Sequence, residues 1–253
     1  MPQQPTVTRM LKFQGAANHS TNIEGNINPS RLVFYDHFTG IAVDTTNNWN
    51  SAGQASGAVA QAAPHMATIT TEGNDDDEWA LSTGLHFYGQ YNAACEVRLR
   101  NDDLDGLTFY VGFSDAVSES GTIAFTYSGT TLTSNASDGA GFVWDTNADT
   151  DYVYAVSSKN NADGTVISTG LAITKSTWAT FRVELRDNGS RTDAIFYFNK
   201  TGNAINPVQD YVGTEIDALT RTDPLCVTIA CMNEEAAANT LDIDYVKAWQ
   251  DEY

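Results

Sequence analysis

The stretch at residues 241–250 alternates apolar and polar positions with a period of two. Successive side chains of a β-strand point to opposite faces, so this pattern predicts a strand with one buried apolar face. The buried parity is expected to carry Leu241, Ile243, Tyr245 and Trp249. Because it holds some of the largest apolar side chains, we expect this closing strand to be central to the core.

The same period recurs along the chain, in stretches separated by turns rich in Gly, Asn, Asp and Ser. The clearest predicted strands are residues 31–36, 66–71, 91–100, 107–114, 177–186, 194–199 and 224–231, of which 194–199 is apolar on both parities and is expected to be covered on both faces. No window has a convincing helical period of 3.6. Many short strands in one continuous chain predict an all-β protein, an antiparallel β-sandwich that forms one domain over residues 31–253.

Residues 1–30 are polar, contain Pro2, Pro5 and Pro29, and show little periodicity. This composition predicts an extended N-terminal arm, and it leaves open whether the arm is disordered or docks on a neighbouring subunit. The first residues lack a basic segment followed by an apolar one, so we expect synthesis in a cytoplasm without a secretory signal. No apolar run approaches the length of a membrane span, so no membrane association is predicted.

Charge and cysteine content narrow the possible partners. The chain has 32 acidic and 13 basic residues and a net charge of −19, which would repel phosphate backbones and so excludes a nucleic-acid partner. Cys95, Cys226 and Cys231 are odd in number and irregular in spacing, which predicts buried free thiols. No dinucleotide, P-loop or zinc-knuckle pattern is present, so no cofactor is predicted.

Three segments carry a resemblance to a known family. Tyr35-Asp36-His37-Phe38 followed by Asn48-Trp49 is similar to the opening of laminarinase-type glycoside hydrolases. Residues 178–184 with 195–199, and residues 243–250, are similar to that family's paired strands and closing strand. In this order, they resemble the concanavalin A-like lectin and glucanase superfamily, which implies a concanavalin A-like jelly roll.

The resemblance also implies where catalytic residues would lie, on a central strand reading Glu-x-Asp-x-x-Glu. Here the partial match is Glu215-Ile216-Asp217, with Thr220 at the third carboxylate, and the middle strand at residues 107–113 has no carboxylate. Retaining glycosidases need two carboxyl groups about 5 Å apart. We therefore expect no enzymatic activity, and we expect Glu215 and Asp217 to be solvated loop residues.

Two sets of residues are candidates for binding. Sugar rings stack on aromatic side chains, and the candidate aromatic residues are Trp79, Tyr110, Trp144 and Tyr154, although the same residues could equally pack in the core. A weak calcium-loop candidate consists of Asp145, Asn147, Asp149 and Asp151. This loop lacks the sixth-position Gly and twelfth-position Glu of an EF-hand, which favours an acidic hairpin turn and no metal.

The favoured hypothesis is a non-enzymatic virion structural protein, a bacteriophage capsid decoration or auxiliary head protein. The fold that the resemblance implies usually works outside cells, and display on the virion surface after synthesis in the host cytoplasm would reconcile this with the lack of a recognised signal. The partners would be the major capsid protein or other virion subunits, with a homo-oligomer left open. The alternatives are a carbohydrate-binding lectin-like module, a divergent laminarinase-type glycoside hydrolase, or an adhesion domain of a cell-surface protein.

Overall fold

A computed structural model describes residues 31–54, 56–116, 122–203 and 209–251. The predicted N-terminal arm, residues 1–30, lies outside the described residues. The first six strands are β1 Arg31–Asp36, β2 Asn50–Gly53, β3 Ala58–Ala63, β4 Met66–Thr70, β5 Glu78–Ser82 and β6 Ala94–Asn101. The next six are β7 Leu107–Ser114, β8 Phe125–Ser128, β9 Thr131–Ser134, β10 Gly139–Asp145, β11 Tyr154–Lys159 and β12 Ala162–Asp163. The last six are β13 Ile167–Ser168, β14 Ala179–Asp187, β15 Thr192–Asn199, β16 Tyr211–Leu219, β17 Cys226–Asn233 and β18 Thr240–Asp251.

These strands form two eight-stranded sheets and a separate hairpin. The back sheet has the order β16-β15-β14-β6-β18-β4-β3, with β1 also paired to β18. The front sheet has the order β12-β11-β10-β7-β17-β5-β2, with β13 also paired to β11. Neighbouring strands pair antiparallel, as in β14 with β15 and β7 with β17, which confirms the predicted antiparallel sandwich. Among the described residues, no helix is long and apolar enough to cross a membrane.

The main core lies between the two sheets and is rich in phenylalanine. Phe181 of the back sheet makes edge contacts with Phe109 and Phe142 of the front sheet, at ring-centroid distances of 5.8 and 5.4 Å. Phe198 stacks on Phe181 at 4.9 Å. Phe109 and Phe181 come from strands whose sequence alternates, so the period-two pattern places their rings on the inner faces.

The closing strand β18 differs from its sequence pattern because it contains a β-bulge. Ile243 pairs with Leu99 and Tyr245 pairs with Arg98, so Asp244 is an extra residue that has no opposite partner. An extra residue reverses the parity of everything after it. The buried core positions are therefore Leu241, Ile243, Val246 and Ala248. The prediction that Tyr245 and Trp249 anchor the core is wrong: both are half-buried and face outward from the back sheet.

The opening motif of the resemblance has a structural role. The Asp36 carboxylate accepts hydrogen bonds from the Trp49 indole N–H at 2.8 Å and from the Phe38 backbone N–H at 2.7 Å. The ring of Phe38 stacks on Trp49 at 5.9 Å. Asp36 thus ties the end of β1 to the loop that leads into β2, which explains why these three residue types occur together.

Candidate functional site

The outer face of the front sheet is the candidate site, because the resemblance implies that catalytic carboxylates would project from a central strand. Strands β7 and β10 lie at the centre of this sheet. Their outward positions, opposite in parity to the core residues, are Thr108, Tyr110, Gly112, Ser114, Gly139, Gly141, Val143 and Asp145. Asp145 is the one carboxylate among them.

This outer face is covered by the chain itself. Residues 123–136, which include the β8–β9 hairpin, pack on it and form a second apolar cluster. Phe125 lies over Tyr110 at a ring distance of 5.0 Å, and Tyr127 lies against Tyr154 at 4.4 Å. The buried members of the cluster are Ala80, Tyr110, Ile123, Ala124, Phe125, Tyr127, Ala136, Val143, Ala148, Tyr154, Val156 and Ala230. The described chain therefore has three layers at this point.

A pair of glycines makes the close packing of this face possible. Gly112 and Gly141 are directly opposite each other on β7 and β10. A Cβ atom on Gly141 would lie 2.5 Å from the Tyr110 hydroxyl oxygen, so any larger residue would displace the ring. The Tyr110 hydroxyl donates to the Phe113 carbonyl at 2.7 Å, which fixes the ring flat against the two glycines.

Glu78 at the start of β5 binds the first residues of the segment 123–136, which we call the cover. Its carboxylate is buried and accepts hydrogen bonds from the Ile123 backbone N–H at 2.5 Å and from the Gln54 amide at 3.3 Å. Burial raises the pKa of Glu78 to about 7, because desolvation of the charged form outweighs these hydrogen bonds and Asp76 adds repulsion.

Asp145 at the end of β10 binds the cover at a second point, the Tyr127 backbone. It is fully buried and accepts hydrogen bonds from the backbone N–H groups of Tyr127 at 2.9 Å and Asn147 at 2.8 Å. Desolvation raises the pKa of Asp145 above its usual value, against the lowering effect of these hydrogen bonds. Both outward carboxylates on β5 and β10 therefore bind the backbone of the covering segment.

A third carboxylate lies beside Asp145. Glu234, directly after β17, accepts a hydrogen bond from the Thr108 hydroxyl at 2.5 Å and another from the Asn147 amide. Desolvation raises the pKa of Glu234, and the charge of Asp145 raises it further. Among the described residues no group of three His, Cys, Asp or Glu side chains has the geometry to hold a metal ion.

The four aromatic residues predicted to stack on sugars do not form one surface. Trp144 is 2% exposed and stacks on Phe109 in the main core, at a ring distance of 6.0 Å. Tyr110 and Tyr154 are buried under the hairpin, and the Tyr154 hydroxyl donates to the Thr150 carbonyl. Trp79 is half-buried and donates to the Ser51 hydroxyl at 2.9 Å. A sugar would reach Tyr110 or Tyr154 only after the hairpin had moved.

The acidic loop after β10 separates into buried and exposed residues. Asp145 is buried and its carboxylate accepts hydrogen bonds from two backbone N–H groups, whereas Asn147, Asp149 and Asp151 are exposed. The loop is held instead by backbone bonds to the β8–β9 turn: Gly129 donates to the Asn147 carbonyl at 2.6 Å, and Asp149 donates to the Gly129 carbonyl at 3.0 Å. The loop therefore helps to close the cover.

Glu215 and Asp217 are not loop residues, which corrects the sequence prediction. Both lie on the edge strand β16. The Asp217 carboxylate pairs with the Lys159 ammonium at 2.6 Å, and Glu215 accepts from the Thr165 backbone N–H at 3.2 Å. The two carboxylates connect β16 to the strand β11 and the loop before β13, so they join the two sheets along one edge of the sandwich.

Sequence reasoning missed Glu78 and Glu234. The alternation through β5 places Glu78 on the face opposite Leu81, but nothing in the sequence indicates that a later segment covers this face. Glu234 follows β17 in a stretch that resembles a short helical turn. Glu78 gains its Ile123 partner only when residues 123–136 pack on this sheet, and Glu234 gains its partners Thr108 and Asn147 from β7 and the loop after β10.

No family model matches this chain, and no curated protein matches it. Solved structures do resemble it. An endo-1,3-beta-glucanase from Streptomyces sioyaensis has a TM-score of 0.58 at 13% identity and covers 88% of this chain and 98% of its own. An immunostimulatory antigen and pseudo beta-1,3-glucanase of Mycobacterium tuberculosis has a TM-score of 0.57 at 12% identity, and the match covers 88% of this chain and 100% of that one. A legume lectin-like domain from Entamoeba histolytica has a TM-score of 0.54 at 11% identity, and the match covers 79% of this chain and 89% of that one. At this identity the likeness establishes the fold, which is that of the concanavalin A-like lectins and glucanases.

Proposed function

We propose that this chain is a non-enzymatic structural protein of a virus particle, a bacteriophage capsid decoration or auxiliary head protein. One observation carries the non-enzymatic part. The outward carboxylates Glu78 and Asp145 hold down the segment that covers the front sheet, through the backbone N–H groups of Ile123 and Tyr127. A glycosidase acid needs access to the glycosidic oxygen, and a nucleophile needs access to the anomeric carbon. Neither carboxylate has such access while the cover is in place.

The state of the cysteines agrees with assembly inside a reducing cell. Cys95, Cys226 and Cys231 are free and buried. Burial raises the pKa of each thiol to about 12, so none is poised for oxidation or catalysis. Proteins that are made and assembled in a cytoplasm typically keep such thiols reduced.

The virion assignment is tested by quantitative mass spectrometry of purified particles. We expect the protein to copurify with the major capsid protein at a constant ratio through a density gradient and after a high-salt wash. Loss of the protein from the particle fraction, while the capsid protein stays, would overturn the assignment.

The non-enzymatic part has a separate test. We expect the purified protein to release no reducing sugar from laminarin or agar above the buffer rate. Hydrolysis that is lost in Asp145→Asn or Glu234→Gln, but kept in the edge-strand control Glu215→Gln, would establish the glycosidase alternative. A glycan array tests the lectin-like alternative, for which binding that Trp79→Ala removes would be the supporting result.

A further inference from the structure

The outer face of the back sheet carries many charged and aromatic side chains, and within the described residues no segment covers it. Residues directly opposite each other form rows across it. One row crosses six strands and contains Tyr35, Lys247, Glu96, Arg182, Tyr197 and Val212. The next row contains Val33, Trp249, Ala94, Glu184, Ile195 and Thr214. We call the surface that these rows form the back-sheet face.

The bulge at Asp244 creates this face. Without the bulge, β18 would alternate regularly, and Tyr245, Lys247 and Trp249 would continue the parity of Leu241 and Ile243 into the core. With it, Trp249 lies outside under two cations, with Arg182 at 5.3 Å and the Lys247 ammonium at 4.9 Å from its ring. Such contacts stabilise cations on an aromatic surface.

The face differs in charge from the rest of the chain. Five of the 13 basic residues lie on it, namely Arg98, Arg100, Arg182, Arg186 and Lys247. They are matched by six carboxylates, namely Glu96, Glu184, Asp193, Asp242, Asp244 and Asp251. Because the chain has 32 acidic and 13 basic residues, 26 acidic and 8 basic residues remain for all other positions. The back-sheet face is therefore close to neutral on a strongly acidic molecule.

Most charges on the face are paired with an opposite charge, whereas Lys247 contacts the Trp249 ring. Arg182 contacts Glu96 through Nε at 2.8 Å and Nη2 at 2.7 Å, and Arg98 contacts Asp244 at 2.6 Å. When a partner covers such a pair, each ion keeps its counterion. An unpaired buried ion would be costly, because it would lose its hydration without compensation. Partly exposed apolar side chains also lie on the face, including Val212 on the edge strand β16, which is 48% exposed.

We propose that the back-sheet face binds a second copy of this chain, sheet against sheet. Two copies with a charge of −19 repel each other through most of their surface, and this neutral face is where they can approach with least repulsion. The six strands span about 24 Å across the sheet, and a strand of eight residues such as β6 extends about 25 Å. That gives about 600 Å² per copy, and about 1,200 Å² in total is the lower limit of the standard interface size. Trp249 and Tyr197 would be its aromatic anchors.

The inference does not rest on the virion assignment, and it is tested by sedimentation equilibrium of the whole chain at about 1–200 µM. We expect a mass of twice 27.4 kDa at the upper concentrations, with a dissociation constant of about micromolar order. Dimerisation should strengthen when NaCl rises from 50 to 500 mM, because salt screens the repulsion between the two acidic bodies. A monomer at every concentration and salt level would overturn the proposal.

Three variants locate the interface. We expect Trp249→Ala to weaken dimerisation at least about tenfold. Val212→Lys, on the exposed edge strand, should weaken it similarly without touching the core. Tyr152→Ala is the matched control, because Tyr152 is 36% exposed and precedes a front-sheet strand. A dimer that is unaffected by Val212→Lys, or equally weakened by Tyr152→Ala, would place the contact elsewhere and contradict the proposal.

Discussion

The Tyr245 hydroxyl donates a hydrogen bond of 2.8 Å to a Glu96 carboxylate oxygen on the outer face of the back sheet. The other oxygen of Glu96 accepts from Arg182. Glu96 is only 5% exposed, so it depends on these donors in place of water. The contact exists because the bulge at Asp244 turns Tyr245 away from the core.

Removal of this hydroxyl should destabilise the protein. We expect Tyr245→Phe to lower the free energy of unfolding by about 1–3 kcal/mol, since a buried charged acceptor loses a donor. Tyr197→Phe is the control, because its hydroxyl lies 3.5 Å from Glu184, at the limit of a hydrogen bond, and its loss should cost less than about 0.5 kcal/mol. Urea unfolding of both variants measures the difference, and equal costs would contradict the assigned contact.

Glu78 should make stability depend on pH. Its pKa is raised from 4.5 to about 7 in the folded state, so the stability it contributes is complete at low pH and is lost as pH rises through about 7. Gln at this position mimics the protonated form. We expect the advantage of Glu78→Gln over the wild type to grow by about 2 kcal/mol between pH 5 and pH 8. A difference in unfolding free energy between Glu78→Gln and the wild type that does not change with pH would contradict the burial of Glu78. An equally large pH-dependent difference for Glu215→Gln would contradict it too.

The three thiols should be unreactive toward thiol reagents in the native protein. At pH 8, a thiol with a pKa of about 12 is ionised in about one molecule in 10,000, and its burial also excludes reagents. We expect less than one equivalent of Ellman's reagent to react within an hour, and three equivalents after unfolding in guanidinium. Fast reaction of any thiol before unfolding would show that its strand opens.

Gly141 should not tolerate a larger residue. A Cβ there would lie 2.5 Å from the Tyr110 hydroxyl oxygen, so we expect Gly141→Ala to cost about 1–3 kcal/mol through displacement of the ring and the hairpin above it. Tyr110→Leu in the same chain should recover part of this cost, since it removes the hydroxyl oxygen and the two ring carbons, Cε2 and Cζ, that lie 2.5–2.6 Å from that Cβ. A double-mutant cycle by thermal unfolding measures the recovery, and strictly additive costs would refute the clash.

The sequence predicted strands well where the period runs without interruption. Ala179, Phe181, Val183 and Leu185 of β14 are all buried as their alternation requires. The pattern failed at Asp244, because a bulge adds one residue without any change in residue type that marks it. The edge strands β2, β3 and β16 were also missed. Their residues lack an apolar parity because little of the core lies beneath them.

The candidate site was less predictable than the fold. The sequence correctly indicated that the middle strand carries no carboxylate, but it gave no sign that residues 123–136 fold over the front sheet. Those residues are rich in Ser, Thr, Gly and Asn, which is typical of loops. The partners of Glu78 and Asp145 are backbone N–H groups, and a backbone donor has no signature in side-chain sequence.

Hydrogen exchange at the Ile123 and Tyr127 amides tests most directly whether residues 123–136 close the front sheet. Both amides donate to buried carboxylates. We expect them to exchange at least about 100-fold more slowly than the amide of Ser190 in the exposed turn after β14, relative to their intrinsic rates. Exchange of Ile123 and Tyr127 at the rate of Ser190 would show that the cover is open and that Glu78 and Asp145 are accessible.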